Sequence, residues 1–115
     1  MLLQANDEAI VTNSADQIAS GNPTVITLGA STVGEYHVIQ SLQWSYAAAP
    51  TGGGLTIAFG GVTKWSVKIT DAGVGFIPFA NYPGGGIHNA QTPNEACVIT
   101  LADGGADGEL NVQSV

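Results

Sequence analysis

His37 and His88 are the only imidazoles in the chain, and Cys97 is its only thiol. A metal centre built on nitrogen and sulfur needs several such groups converging with acids. His37 falls in an alternating run and His88 in a glycine-rich one, and no His-x-His pair followed by Glu is present. No metal site and no cofactor are therefore expected. A serine nucleophile needs a Gly-x-Ser-x-Gly elbow or a Ser/His/Asp set, and GASTVG fits neither. Asp71, Asp103 and Asp107 stand beside glycine or alanine, where Asp ordinarily forms turns. The runs DAG and DGGADG do not meet the calcium-loop pattern. Cys97 lies in the apolar run EACVITLA and reads as a small core residue. The expectation is a chain that is not an enzyme.

The remaining chemistry is that of contact. Trp44, Tyr46, Trp65 and Tyr82 have rings able to stack on sugars, but both tryptophans fall on the apolar faces of their strands and read as core. Tyr82 belongs to the run NYPGGGIHNAQTPN, residues 81–94, which is long for a loop in a compact domain. A second glycine joint, AAAPTGGG, spans residues 47–54. Long glycine loops cost ordering entropy, and an ordered partner is one way to offset it. The candidate partner-binding residues are Pro50, Gly52, Gly53 and Gly54 in one loop, and Tyr82, Pro83, Gly84, Gly85, Gly86 and His88 in the other.

The elements that carry these loops read as β structure. Residues 35–46 alternate with period two: Tyr36, Val38, Gln40, Leu42, Trp44 and Tyr46 on one face, and Glu35, His37, Ile39, Ser41, Gln43 and Ser45 on the other. Leu55, Ile57 and Phe59 repeat the pattern, as do Trp65, Val67 and Ile69, then Cys97, Ile99 and Leu101, then Leu110 and Val112. The best helix candidate is SADQIAS, residues 14–20, ended by Gly21 and Pro23. About eight strands are predicted, near 8–13, 24–30, 35–46, 54–59, 63–70, 74–80, 95–102 and 108–114. The fold class is all-β: an antiparallel β-sandwich, jelly-roll-like, with a seven-stranded immunoglobulin-like sandwich as the rival. Strands 35–46 and 54–59 are expected to be hairpin neighbours. Residues 1–23, with little core signal, are expected to form an N-terminal arm, and residues 24–115 the sandwich domain.

Composition narrows the partners. The chain has 115 residues, the length of one domain. Apolar residues make up 44% and charged residues only 10%, so hydroxyls, amides and glycine must cover the surface. Nine acids face two lysines, for a net charge of −7. That balance excludes a phosphate-tracking surface and disfavours anionic membranes. The start MLLQANDEAIV lacks a basic segment and does not read as a signal peptide. A homotrimer is expected, with the weakly charged face around His37, Ser41, Gln43 and Ser45 as a candidate contact.

Residues 24–112 also carry a resemblance. The segments TVITLGAS, HVIQSLQWSYAAAPTGG, VKITDAGVGFIPF and ACVITLADGGADGELNV are similar to small all-β structural proteins of tailed bacteriophages, the capsid decoration or cement proteins. The resemblance implies a small β-sandwich, often trimeric, on the exterior of the virion head, with the major capsid protein as partner and assembly in the host cytoplasm. It brings no functional residue set. The alternative is a tail or fibre component whose Tyr82–His88 loop recognises a glycan or receptor.

Overall fold

Alternating runs with one apolar face must bury that face against a second layer, and in this chain the second layer is another sheet. The computed structural model describes residues 23–29, 36–79, 81–82, 85–88 and 94–114, and the backbone of 11–16. The described strands are β1 (Val11–Asp16), β2 (Thr24–Leu28), β3 (Val38–Tyr46), β4 (Gly53–Phe59), β5 (Val62–Ile69), β6 (Gly73–Pro78), β7 (Ile87–His88), β8 (Cys97–Leu101) and β9 (Gly108–Ser114). One sheet runs β1-β9-β3-β6, with the two-residue β7 also on β3; the other runs β2-β8-β4-β5. With β7 set aside, the first sheet takes the first, eighth, third and sixth strands, and the second takes the second, seventh, fourth and fifth. This is the jelly-roll order, and all pairings are antiparallel.

The core lies between the sheets. Leu42, Tyr46, Leu110 and Val112 enter from one side, and Ile26, Leu55, Ile57, Phe59, Cys97, Ile99 and Leu101 from the other. Trp44 and Trp65 pack against this core, as their alternation predicts. Trp65 meets the buried Phe79 edge-on, with ring centroids 5.0 Å apart.

Three expectations are corrected. Strands β3 and β4 are not hairpin neighbours: they lie in different sheets, and residues 47–52 carry the chain from one to the other. The tight hairpin is β4–β5, where Gly60 and Gly61 hold φ of 57° and 84° between Phe59 and Val62, the left-handed pair that a two-residue turn matched to sheet twist requires. The alternation of β3 is interrupted by a bulge between Ile39 and Ser41. It turns Ile39, on the polar face by simple parity, fully into the core. Residues 14–16 are strand rather than helix, because β9 supplies a six-residue register for Val11–Asp16. Those six residues pair within the first sheet. Residues 1–10 and 17–22, and with them the rest of the helix candidate, lie outside the described residues.

Candidate functional site

The two glycine loops occupy opposite ends of the sandwich. The 47–54 joint follows Tyr46 at one end of β3, and the second loop meets Val38 and Ile39 at the other. The seven steps from Ile39 to Tyr46 span roughly 23 Å at about 3.3 Å per residue. The structure therefore does not bring the two sets of predicted residues into one site.

The first loop is tied to its own domain. Ala47 donates its N–H to the carbonyl of Asp107 (2.9 Å), Thr51 to that of Gly104 (2.8 Å), and Ala102 to that of Gly54 (2.8 Å). Pro50 is buried. Its ring lies against Gly104 and against Gly53, where an added Cβ would stand 2.7 Å from the Pro50 Cγ. Glycine is used here because backbone and proline ring approach too closely for a side chain. The hydroxyl of Tyr46, itself buried, donates to the Ala102 carbonyl (2.6 Å) and pins this end of β3 to the end of β8. Of the predicted residues, Gly53 and Gly54 belong to β4, Gly53 is buried, and Gly52 remains exposed. Beside them an open groove of about 650 Å³ runs along β4 and β5, past Thr56, Ser66, Lys68 and Thr100.

The second loop is a folded return onto β3. Phe79 donates to the Gln40 carbonyl (2.8 Å), Tyr82 to that of Phe79 (2.9 Å), and Gly85 to that of Tyr82 (2.9 Å). Gly86 is buried against the Ile39 carbonyl and the Val38 side chain. The Tyr82 ring stands edge-on to Phe79 with centroids 5.4 Å apart, yet the residue remains 44% exposed. His88 sits in β7, its ring 5.7 Å from that of Tyr36, an exposed neighbour that sequence reasoning did not single out. Pro83 and Gly84 lie outside the described residues.

The other histidine, His37, donates from Nε2 to the carbonyl of Gly29 (2.6 Å). Among the described residues, no three of His, Cys, Asp and Glu come together as a metal would need. Asp103 accepts the N–H of Gly105 (3.0 Å) and so acts as a turn former. Burial pushes the Cys97 thiol up to about 12. Burial, helped by the Asp103 carboxylate, also raises the Tyr46 hydroxyl.

The two outermost strands on one side of the sandwich differ in kind. Strand β5 carries both lysines of the chain, Lys64 and Lys68, exposed along it, a common guard on an open sheet edge. Strand β6 carries no charge and exposes Val74 (75%) and Phe76 (58%). The Phe79–Gln40 hydrogen bond fixes the phase of the β3–β6 ladder. Gly73, Gly75 and Ile77 therefore bond to β3, and Val74 and Phe76 turn their N–H and C=O groups outward. Pro78, which has no N–H, also falls in the outward phase, where no ladder donor is lost. Among the described residues no strand pairs on that outer side.

No family model matches this sequence, and no curated protein matches it either. Solved structures do. The CBM36-1 domain of a multidomain xylanase from the hindgut metagenome of Trinervitermes trinervoides is similar at a TM-score of 0.50 and 11% identity, over 90% of this chain and 95% of that one. A carbohydrate-binding module CBM36 solved with calcium and xylotriose is similar at a TM-score of 0.50 and 12% identity, over 94% and 98%. The likeness establishes a shared β-sandwich fold. The extra small virus of Macrobrachium rosenbergii yields a weaker match, with a TM-score of 0.34 and 14% identity over 92% and 77%, too low to bear on function.

Proposed function

We propose that this chain is a non-enzymatic virion structural protein, a capsid decoration or cement protein that binds the outer surface of a phage head and stabilises it. Its partners in this reading are the major capsid protein and further copies of itself in a homotrimer. The observation that supports it is the β6 edge: an uncharged strand with outward backbone donors and acceptors and with Val74 and Phe76 exposed. Such an edge invites pairing with another polypeptide. The acidic surface, at net −7, suits the outside of a shell better than contact with packaged DNA. Repetition over a lattice lets modest contacts hold strongly, because each bound copy links neighbours. The exposed residues of the two loops, such as Gly52 and Tyr82, lie at opposite ends and would reach different neighbours.

Sedimentation tests the reading. Purified protein is mixed with heads that lack it and run through a density gradient. Co-migration with the heads that saturates at a fixed number of copies per head is the expected result. Protein left at the top of the gradient, or found only on tails, overturns the assignment.

A further inference from the structure

The outer face of the first sheet holds a group of residues that neither loop contains. The β3–β6 and β3–β9 registers place Phe76, Gln43 and Asn111 in one row across three strands, and Pro78, Ser41 and Gln113 in the next. Directly opposed residues bring their Cβ atoms to about 4.5–5.5 Å. Between these rows lies a hollow of about 180 Å³ lined by Ser41, Gln43, Phe76, Asn111 and Gln113. Its floor exists because Ser41 is small and sunk, only 7% exposed. The Ser41 hydroxyl donates to Oε1 of Gln113 (3.2 Å), which orders that amide and leaves its NH2 group as a donor.

The lining carries no charge in a chain of net −7. The nearest acid by register is Glu109, opposite Ser45 in the following row, and both lysines stand on β5 in the other sheet. Among the described residues, none that line the hollow would give an ionic ligand a counter-charge. Three amides and a hydroxyl offer donors and acceptors side by side, the complement of a ligand rich in hydroxyls. Phe76 adds a half-open ring at the rim, an apolar surface against which the C–H face of a sugar ring can stack. The volume is below the roughly 300–1,000 Å³ of sites for drug-sized ligands and suits one sugar ring with its neighbours running out along the sheet.

We infer that this hollow binds one residue of a neutral glycan, with Phe76 stacked on the sugar ring and Gln43, Asn111 and Gln113 bonded to its hydroxyls. The site goes beyond the proposed capsid role and is separate from the Tyr82–His88 loop; it shares Phe76 with the β6 edge, and it assigns Ser41 and Gln43 to a ligand in place of the trimer contact expected for that face. It gives an outward-facing decoration protein a means of holding a polysaccharide surface.

The test is titration calorimetry of the whole protein with a panel of uncharged oligosaccharides: xylo-, gluco-, manno- and galacto-oligomers. At least one should bind, with affinity unchanged between about 0.05 and 0.5 M salt because no ion pair is involved. Phe76→Ala should weaken binding about tenfold, the worth of one aromatic stacking contact. Phe76→Trp should retain or improve it, which keeps the test valid if the alanine variant folds poorly. Gln113→Ala should weaken it too, and Tyr82→Ala should leave it unchanged. Absence of binding across the panel overturns the inference, as does binding that is lost with Tyr82→Ala but survives Phe76→Ala.

Discussion

Gly75 makes the packing of β6 testable at a single position. It lies directly opposite Trp44 in the β3–β6 register, and the indole covers it. A Cβ added to Gly75 would stand 2.8 Å from the Trp44 Cη2 and nearer still to Cζ2 and Cε2. The favourable separation between carbon atoms is about 3.5–4.0 Å, so the Gly75→Ala methyl must displace the indole or lift β6 from β3. The backbone itself raises no objection, since Gly75 is not among the positive-φ glycines. Overpacking of this kind costs about 1–3 kcal/mol, and replacing glycine in a strand returns roughly 0.5–1 kcal/mol of chain entropy. The expected net loss is about 1–2 kcal/mol, from the difference of those two terms. For a domain of this size it lowers Tm by roughly 4–8 °C. Urea and thermal unfolding of the purified protein measure it. The control is Trp44→Leu, which removes the obstructing ring: in that background Gly75→Ala should be neutral or slightly stabilising, a coupling of about 1–2 kcal/mol. An equal cost in both backgrounds, or none in either, refutes the packing argument.

Two further predictions concern the core and its polar pin. Tyr46→Phe removes the hydroxyl bonded to the Ala102 carbonyl and should cost about 1–1.5 kcal/mol in chemical denaturation; no measurable loss would mean that the pin does not hold the sheet ends together. Cys97, buried, with its thiol raised from 9.0 to about 12, should resist thiol reagents at pH 8 until the protein is unfolded. Because the folded state holds this proton more tightly than the unfolded state, the stability it contributes is intact below pH 9. That stability falls as pH climbs from 9 toward 12, by up to about 1.4 kcal/mol per unit. Tyr46, raised in the same direction, adds to the alkaline loss, and flat stability across that window would contradict both.

Much of the sandwich was legible in the sequence because strand alternation is a local property. The Leu55–Ile57–Phe59, Trp65–Val67–Ile69 and Leu110–Val112 runs needed no partner to be read, and the turn role of Asp103 followed from its glycine neighbours. What the sequence hid was set by pairing. The bulge beside Ile39 depends on the fit of β3 to β9, and no feature of HVIQSL marks it. SADQIAS resembled a short helix in isolation, but β9 offered six residues of register to Val11–Asp16. The glycines of 47–54 read as a joint awaiting a partner, whereas Pro50, Gly53 and Gly104 use the missing side chains to pack the chain on itself. Phe76, Asn111 and Gln113 lie far apart along the chain, so only the order of strands β6, β3 and β9 reveals that they share a face.

The central claim, that the chain braces an assembled shell, is tested most directly by the heat resistance of heads. Expanded heads lacking the protein are saturated with it, washed and heated, and their disruption is followed by light scattering. The account predicts that saturated heads break at a higher temperature than bare ones, with the gain rising in step with occupancy. Saturated and bare heads that break at the same temperature would contradict it.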